Sequence, residues 1–357
     1  MDQSKRAQNF HLAGLDGLRG IAVLGVILYH LFPEKIKGGF LGVSLFFILS
    51  GYLIALTTRR DLEQQKFTLV RFYRKRILRI YPALVIMVFV TLGIYFILAP
   101  EILNGISEQI KSIFGGYNNF WQISQNSSYF TKIANASPFT HLWSLAIELQ
   151  FYLMWPLWLW LYLLLKQSKF SNYAALVVCL IPILISITTL QLKILPGRDV
   201  SELYYGMGTR IFSFFMGAYL GLQPFEEQMV NSRRYQKRRT RYFIGAVLLL
   251  GASYLMIDGQ SLMTYRVWLV ATSLLFLGIL RLVLDPNLEA GNLMDNKVLT
   301  YFGKRSYEIY LWQFPVIFIF QYLKLDKEFL APLIIVVLIL VLSEWLYFVG
   351  KMFYRVR

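Results

Sequence analysis

A chain of 357 residues with 57% hydrophobic residues, 17% aromatics, 16% charged residues and a mean hydropathy of +0.51 is too apolar for a soluble domain. The composition is that of a polytopic membrane protein, in which the net charge of +16 reflects basic cytoplasmic loops rather than nucleic-acid binding. A single cysteine, Cys179, excludes an intrachain disulfide framework, and histidines only at 11, 30 and 141 do not form a metal-ligand pattern, so no metal is expected.

Apolar runs predict ten membrane spans, near residues 15–33, 38–58, 80–100, 141–165, 174–195, 206–224, 242–258, 266–284, 305–323 and 330–350. The fold class expected is therefore all-α and polytopic, one integral membrane domain over 1–357. With the N-terminus cytoplasmic, the inner segments collect 26 of the 36 Lys and Arg residues, Arg19 included. Arg59 to Arg79 and RRYQKRRTR (233–241) are the dense clusters, and an even number of spans returns the C-terminus to the same side. Asp16 and Arg19 interrupt the first apolar run and no small-residue cleavage site follows, so a removable signal peptide is not expected.

The first span, LDGLRGIAVLGVILYHLF (15–32), carries ionisable residues that cost a few kcal/mol or more in a bilayer and therefore face an interior or a watery cavity. Arg19 and His30 are eleven residues apart, within about 20° on one face and about 16 Å apart along the axis. In the second span, Ser50-Gly51-Tyr52 reads as close helix packing through small residues. The segment RFYRKRILRIYP (71–82) leads into the third span. Arg59, Arg60, Arg71 and Lys75 read as membrane anchors. Arg76 and Arg79 share a face at the entrance, where paired guanidiniums suit a polyphosphate or an anionic lipid headgroup equally.

The one long outer loop, Glu101 to Thr140, holds a polar tract and a sequon at Asn126-Ser127-Ser128, and is long enough to cover part of an outward cavity. In the fourth span, His141, Ser144, Glu148 and Tyr152 lie within about 80° of one another, with Glu148 about 10 Å inside the outer end. Such a carboxylate needs a partner, for which His30 and Arg210 are the candidates. The ninth span opens GKRSYEIYLWQFP (303–315), where Ser306, Tyr310 and Gln313 form a polar face and Lys304 and Glu308 are spaced to pair with each other. Several helices thus direct His, Arg, Glu, Tyr and Ser toward one interior. A transporter or flippase of lipid-linked saccharide would use them as a proton relay and substrate site. An enzyme would use His30 as general base and the arginines as anion binders. The absence of paired Gly/Pro-broken spans in two halves favours the enzyme.

Six segments together resemble the acyltransferase-3 family of integral membrane acyltransferases. They are LDGLRG with a histidine eleven residues after its arginine, FFILSGYLI, FYRKRILRIYPAL, HLWSLAIELQFYLMWP, an arginine seven before the glycine of RIFSFFMG, and GKRSYEIYLWQFP. They run in family order from about residue 12 to 315, and are most similar to the membrane module of bacterial O-acetyltransferases of peptidoglycan or other surface polysaccharides. The resemblance implies a ten-helix bundle in a bacterial plasma membrane. It would move an acyl group, usually acetyl, from cytoplasmic acyl-CoA to a hydroxyl of a cell-surface glycan or lipid-linked saccharide. No permanently bound cofactor is implied; acetyl-CoA is the donor substrate.

Carried onto this chain, the resemblance makes His30 catalytic, as base or transient acyl carrier, with Glu148 orienting or charge-balancing it. Arg19, Arg76 and Arg79 would contact CoA. His141, Trp143, Ser144 and Glu148 match one motif, Arg210 a second, and Ser306, Tyr307, Tyr310 and Leu311 a third. His141, Ser144, Arg210, Tyr307 and Tyr310 would line the acceptor side. Two departures stand out. Gln313 replaces a histidine common in the ninth span, and no eleventh span leads to an SGNH-type domain, so a stand-alone transferase or one working with a separate or fused SGNH-type partner is expected. Residues past 340 follow the family ending loosely.

Overall fold

The computed structural model describes residues 14–125, 137–195, 200–223, 233–285, 288 and 290–355. All regular structure among them is helical. The helices are α1 (Leu15–Leu31), α2 (Gly42–Glu63), α3 (Leu69–Leu98), α4 (Ile106–Phe114), α5 (Asn118–Ser124), α6 (Trp143–Lys166), α7 (Ala174–Lys193) and α8 (Ser201–Tyr205). They continue as α9 (Met207–Leu222), α10 (Arg233–Met256), α11 (Leu269–Val283), α12 (Ala290–Met294), α13 (Lys297–Lys304), α14 (Ser306–Tyr322) and α15 (Ala331–Arg355). The sequon at 126–128, His11 and the middle of the 101–140 loop lie outside the described residues.

Among the described residues, six helices are long and apolar enough to cross a membrane: Gly39–Glu63, Leu69–Leu98, Thr140–Lys166, Ser171–Lys193, Thr264–Val283 and Ala331–Met352. The other four predicted spans are also helices, α1, α9, α10 and α14. Three of these have 17, 16 and 17 residues, or about 24–26 Å at 1.5 Å per residue, slightly less than a hydrocarbon core of about 30 Å. The fourth, α10, begins in the basic cluster RRYQKRRTR.

The centre of the bundle is α2, 83% of whose apolar stretch is buried, against 22% for α15 at the periphery. It packs on α9 and α1; α1 in turn packs on α13 and α14. Close approach rests on missing side chains. A Cβ at Gly51 of α2 would sit 1.9 Å from the Phe214 carbonyl oxygen, and one at Gly217 of α9 would sit 1.9 Å from that of Ile48. Gly217 and Gly221 form a G-x-x-x-G stripe, the small-residue contact used where lipid offers no hydrophobic drive for association. Gly217→Val is therefore expected to destabilise the bundle by about 3 kcal/mol or more, read as a lowered melting temperature in detergent. Gly93→Ala, at an open site on α3, should leave the melting temperature unchanged or slightly raised.

One local reading is made more specific and one is corrected. The basic segment runs directly into the third span on a single helix: α3 starts at Leu69, capped by the Thr68 hydroxyl accepting from the Arg71 amide at 3.2 Å. Arg76 and Arg79 are thus carried on rigid helix. Lys304 and Glu308 do not pair, because the helix breaks at Arg305 between α13 and α14, which destroys the i,i+4 relation. Arg305 instead donates from Nη2 to Glu344 of α15 at 2.8 Å, with its guanidinium over the rings of Tyr301 and Tyr347. The first part of the long loop is α4 and α5, tied down by Gln150 of α6, whose Nε2 donates to the Gly116 carbonyl and to Asn119 Oδ1, both at 2.8 Å.

Candidate active site

The polar residues of the predicted interior fall into three groups along α1, α2, α6 and α14. At one end of α1 is His30, partly buried. Its Nδ1 lies 3.1 Å from Gln313 Oε1 of α14, and its ring also hydrogen-bonds the Val26 backbone one turn earlier. Phe314 packs edge-on against His30 with centroids 5.2 Å apart, and the same phenyl ring stacks on His141 at 5.2 Å. His141 is 1% exposed, so it is an interior residue rather than an interfacial one. Neither of its ring nitrogens has a side-chain hydrogen-bond partner among the described residues.

One turn along α14, the Tyr310 hydroxyl donates to the His141 carbonyl. A phenol has one hydrogen, so Ser144 Oγ, 2.7 Å away, is the donor to Tyr310. This chain ties α6 to α14. Glu148, one turn beyond Ser144, receives hydrogen bonds from Ser50 of α2 at 2.6 Å and from the Tyr152 hydroxyl of its own helix, both at Oε1. It makes no ion pair among the described residues. Neither expected partner reaches it: His30 is bound to Gln313, and Arg210 points elsewhere. Two hydroxyls therefore compensate the carboxylate at Oε1, which costs far less than leaving it bare.

Glu148, Ser50, Ser144, Ser306, Tyr307 and Tyr310 line a cavity that also includes Arg19 and Arg79. The Tyr307 hydroxyl donates to the Ile80 carbonyl at 2.8 Å, holding α14 against α3. Arg19, Ser50 and Arg79 are also in the wall of a second space, lined further by Lys75, Arg76, Asp61 and Tyr152. Four cations thus face one cavity. Lys75 is paired with Asp61 at 3.1 Å and Arg19 with Asp16 at 3.2 Å, while Arg79 is solvent-exposed. The Arg76 guanidinium lies 3.6 Å from the centroid of Phe72 and 5.5 Å from that of Tyr152. Arg19 both braces Asp16 and faces the cavities, so the two roles coexist.

His30, His141 and Arg210 line neither space; Tyr310, which lines the first cavity with Ser144, bonds the His141 carbonyl and packs against its ring. Arg210 is fully buried on α9, donating to Ser44 at 3.0 Å and packed against the rings of Tyr204 and Phe47. Its Nε and Nη1 have no partner among the described residues. Phe47, whose ring packs against Arg210, also lines the cavity that holds Glu148.

Sequence reasoning undervalued Ser50, read as a packing residue, and Lys75, read as an anchor. A serine beside a close-packing glycine on the helix facing Glu148 was the available signal for the first. Lys75 carried none, because its orientation depends on how α3 meets Asp61. Gln313, on the polar face of the ninth span and a departure from the family's usual histidine, meets His30.

An all-helical bundle with lipid-length apolar helices, a basic vestibule and an adjoining carboxylate-, hydroxyl- and imidazole-bearing interior defines a multi-pass membrane protein with an internal site. The chain belongs to the acyltransferase domain family, whose model matches residues 12–348. It is 33% identical over 313 residues to the O-acetyltransferase OatA of Staphylococcus aureus, covering 86% of this chain and 51% of that protein. It is 33% identical over 326 residues to the peptidoglycan O-acetyltransferase OatA of Listeria monocytogenes, covering 89% and 51%. YrhL of Bacillus subtilis is 34% identical over 320 residues, covering 88% and 50%. The chain therefore spans about half the length of these curated relatives. No solved structure matches it.

Proposed function

We propose that the protein is a membrane O-acetyltransferase that takes acetyl from acetyl-CoA at the cytoplasmic face and delivers it to a hydroxyl of a cell-wall glycan of the peptidoglycan type. The observation that carries this reading is the joining of two spaces at Arg19, Ser50 and Arg79. One is cation-lined and suits CoA phosphates, which bind guanidiniums bidentately. The other is lined by Glu148 and by the hydroxyls of Ser144 and Tyr310. The names of the relatives support acetyl as the group and peptidoglycan as the acceptor.

In this reading ten helices span the membrane with both termini cytoplasmic, the short ones α1, α9 and α14 being enclosed by longer neighbours. The CoA phosphates meet Arg76 and Arg79, the pantetheine arm passes Arg19 and Ser50, and the thioester meets the acceptor beyond Tyr310. His30 acts as general base: the acceptor hydroxyl gives its proton to the imidazole, its oxygen forms a bond to the acetyl carbon, and the carbon–sulfur bond breaks. The proton then returns to the CoA thiolate. Arg210 and His141 lie on the acceptor side, and an SGNH-type transferase is the expected downstream partner.

Purified protein in vesicles containing a lipid-linked muropeptide and given radiolabelled acetyl-CoA should yield acetylated saccharide, and mass spectrometry of wall glycan should lose the acetyl mass when the protein is removed. Movement of saccharide across vesicles with no dependence on acetyl-CoA would instead establish a flippase.

A further inference from the structure

The walls of the two joined spaces follow α2 in strict order. Leu53, Ile54, Thr57 and Asp61 line the basic vestibule, Val43, Phe46, Phe47 and Leu49 line the inner cavity, and Ser50 lines both. At 1.5 Å per residue, Asp61 stands about 16 Å from Ser50 in one direction along the axis and Val43 about 10 Å in the other. α6 repeats the order, with Tyr152 in the vestibule and Glu148, Leu145 and Ser144 in the inner cavity. The hydrogen bond from Ser50 to Glu148 holds the two helices in that register. The chemistry of the walls changes along this line. Asp61, Lys75 and Arg76 line the vestibule, and Arg19 and Arg79 stand with Ser50 in the shared wall. Past them, no further cation among the described residues lines the inner cavity. Its α2 wall there is carbon only, from Val43, Phe46 and Phe47 at i, i+3 and i+4, with Leu145 contributed by α6.

We propose that this apolar end of the inner cavity is the subsite for the acyl group, that it takes a short uncharged chain, and that Phe46 sets the length. The proposal rests on acyl-CoA being the donor. With the phosphates held at the vestibule arginines, the thioester lies past Ser50 and its acyl group extends along α2 toward Val43. Phe47 is a fixed part of that wall: it is 3% exposed, stacks on Phe214 with centroids 4.4 Å apart and meets Trp143 edge-on at 6.3 Å. Phe46 is half-buried, so its ring is the part of the wall that truncation removes without opening the packed core. A methyl group gains by burial against these rings. A longer chain must displace packed side chains, and overpacking of that kind costs more than the added burial returns. A terminal carboxylate would lose its hydration in the same space as the Glu148 carboxylate, where no cation on the far side compensates it.

Phe46 and Ser50 are four residues apart, so the hydroxyl that meets Glu148 and the ring that limits the acyl chain are carried on consecutive turns of one helix face. Donor position and acyl length are therefore measured from the same element.

The test measures kcat/KM for acetyl-, butyryl- and succinyl-CoA with the full chain in vesicles containing a lipid-linked muropeptide, for wild type, Phe46→Ala, Phe46→Leu and Leu53→Ala. Wild type should prefer acetyl to butyryl by at least about 100-fold, since an apolar pocket discriminates one methylene by about 10–200-fold. Phe46→Ala should narrow that preference about tenfold or more, butyryl transfer rising in absolute terms while acetyl transfer falls about threefold as the methyl loses its contact. Phe46→Leu should lie between the two, and carries the test if the alanine variant fails to fold. Succinyl-CoA, of butyryl length but ending in a carboxylate, should remain a poor donor throughout. Leu53→Ala, in the vestibule wall only, should change acetyl and butyryl transfer alike, as a loss of uniform binding does. Acetyl transfer by wild type with no rise in butyryl transfer in either Phe46 variant overturns the subsite alone. Succinyl transfer matching butyryl transfer in Phe46→Ala overturns the selection against charge. Wild-type protein that transfers no acyl group from any of the three thioesters overturns the donor reading beneath it.

Discussion

His30→Ala is expected to lower acetyl transfer by about 10³-fold, within the range that a positioned general base contributes, while the protein still elutes as a folded species in detergent. The imidazole is held on three sides, by Gln313, by the Val26 backbone and by the edge of Phe314. Such restraint is what a base needs in order to meet a hydroxyl in one geometry. Because alanine also leaves Gln313 Oε1 without its partner, His30→Gln is the companion variant: it keeps a polar side chain at the site but supplies no base of suitable pKa, and should be equally slow. Transfer at the normal rate by either variant, measured with radiolabelled acetyl-CoA, removes His30 from the chemistry.

The second large effect concerns the donor. Arg79→Ala should raise KM for acetyl-CoA about tenfold with kcat nearly unchanged, and the Arg76→Ala, Arg79→Ala pair about 100-fold, since each charge-assisted bond to phosphate contributes roughly 1.5–3 kcal/mol. A rise in KM alone is the signature of binding shared by ground and transition states. Arg79 is the cleaner probe, being exposed to both spaces. Arg76 also donates to the Phe72 carbonyl at 2.7 Å and covers aromatic rings, so its loss disturbs α3 packing as well. Acetyl-pantetheine, which lacks the nucleotide phosphates, provides the control: its use should be insensitive to either arginine. Affinity for acetyl-CoA that is unchanged in both variants removes the arginines from donor binding.

Much of this was legible before the fold. The eleven-residue interval between Arg19 and His30 already put them on one face of a helix, and the fourth span already aligned Ser144, Glu148 and Tyr152. Those are relations within a single helix, fixed by 3.6 residues per turn. Contacts between helices were not legible. Glu148 was expected near His30 or Arg210 because all three are polar and buried at similar depth. Depth does not determine which faces meet, and the helix rotations instead bring Ser50 to Glu148, Gln313 to His30 and Ser44 to Arg210. The Lys304–Glu308 pair failed for a related reason, since the spacing rule holds only on an unbroken helix and the chain turns at Arg305.

Family membership, the all-helical class and the identity of most cavity-lining polar residues, though not Ser50, Thr57, Asp61 or Lys75, thus follow from the order of residues alone, through hydropathy, helical period and motif. Pairing was decided by tertiary packing. Gly51 and Gly217 let α2 and α9 approach until backbone meets backbone, and that approach sets where Ser44 and Ser50 point. Hydrogen bonds act over about 3 Å, whereas a helix face constrains position only to within several ångströms. The residues of the site could therefore be named in advance, but not their partners.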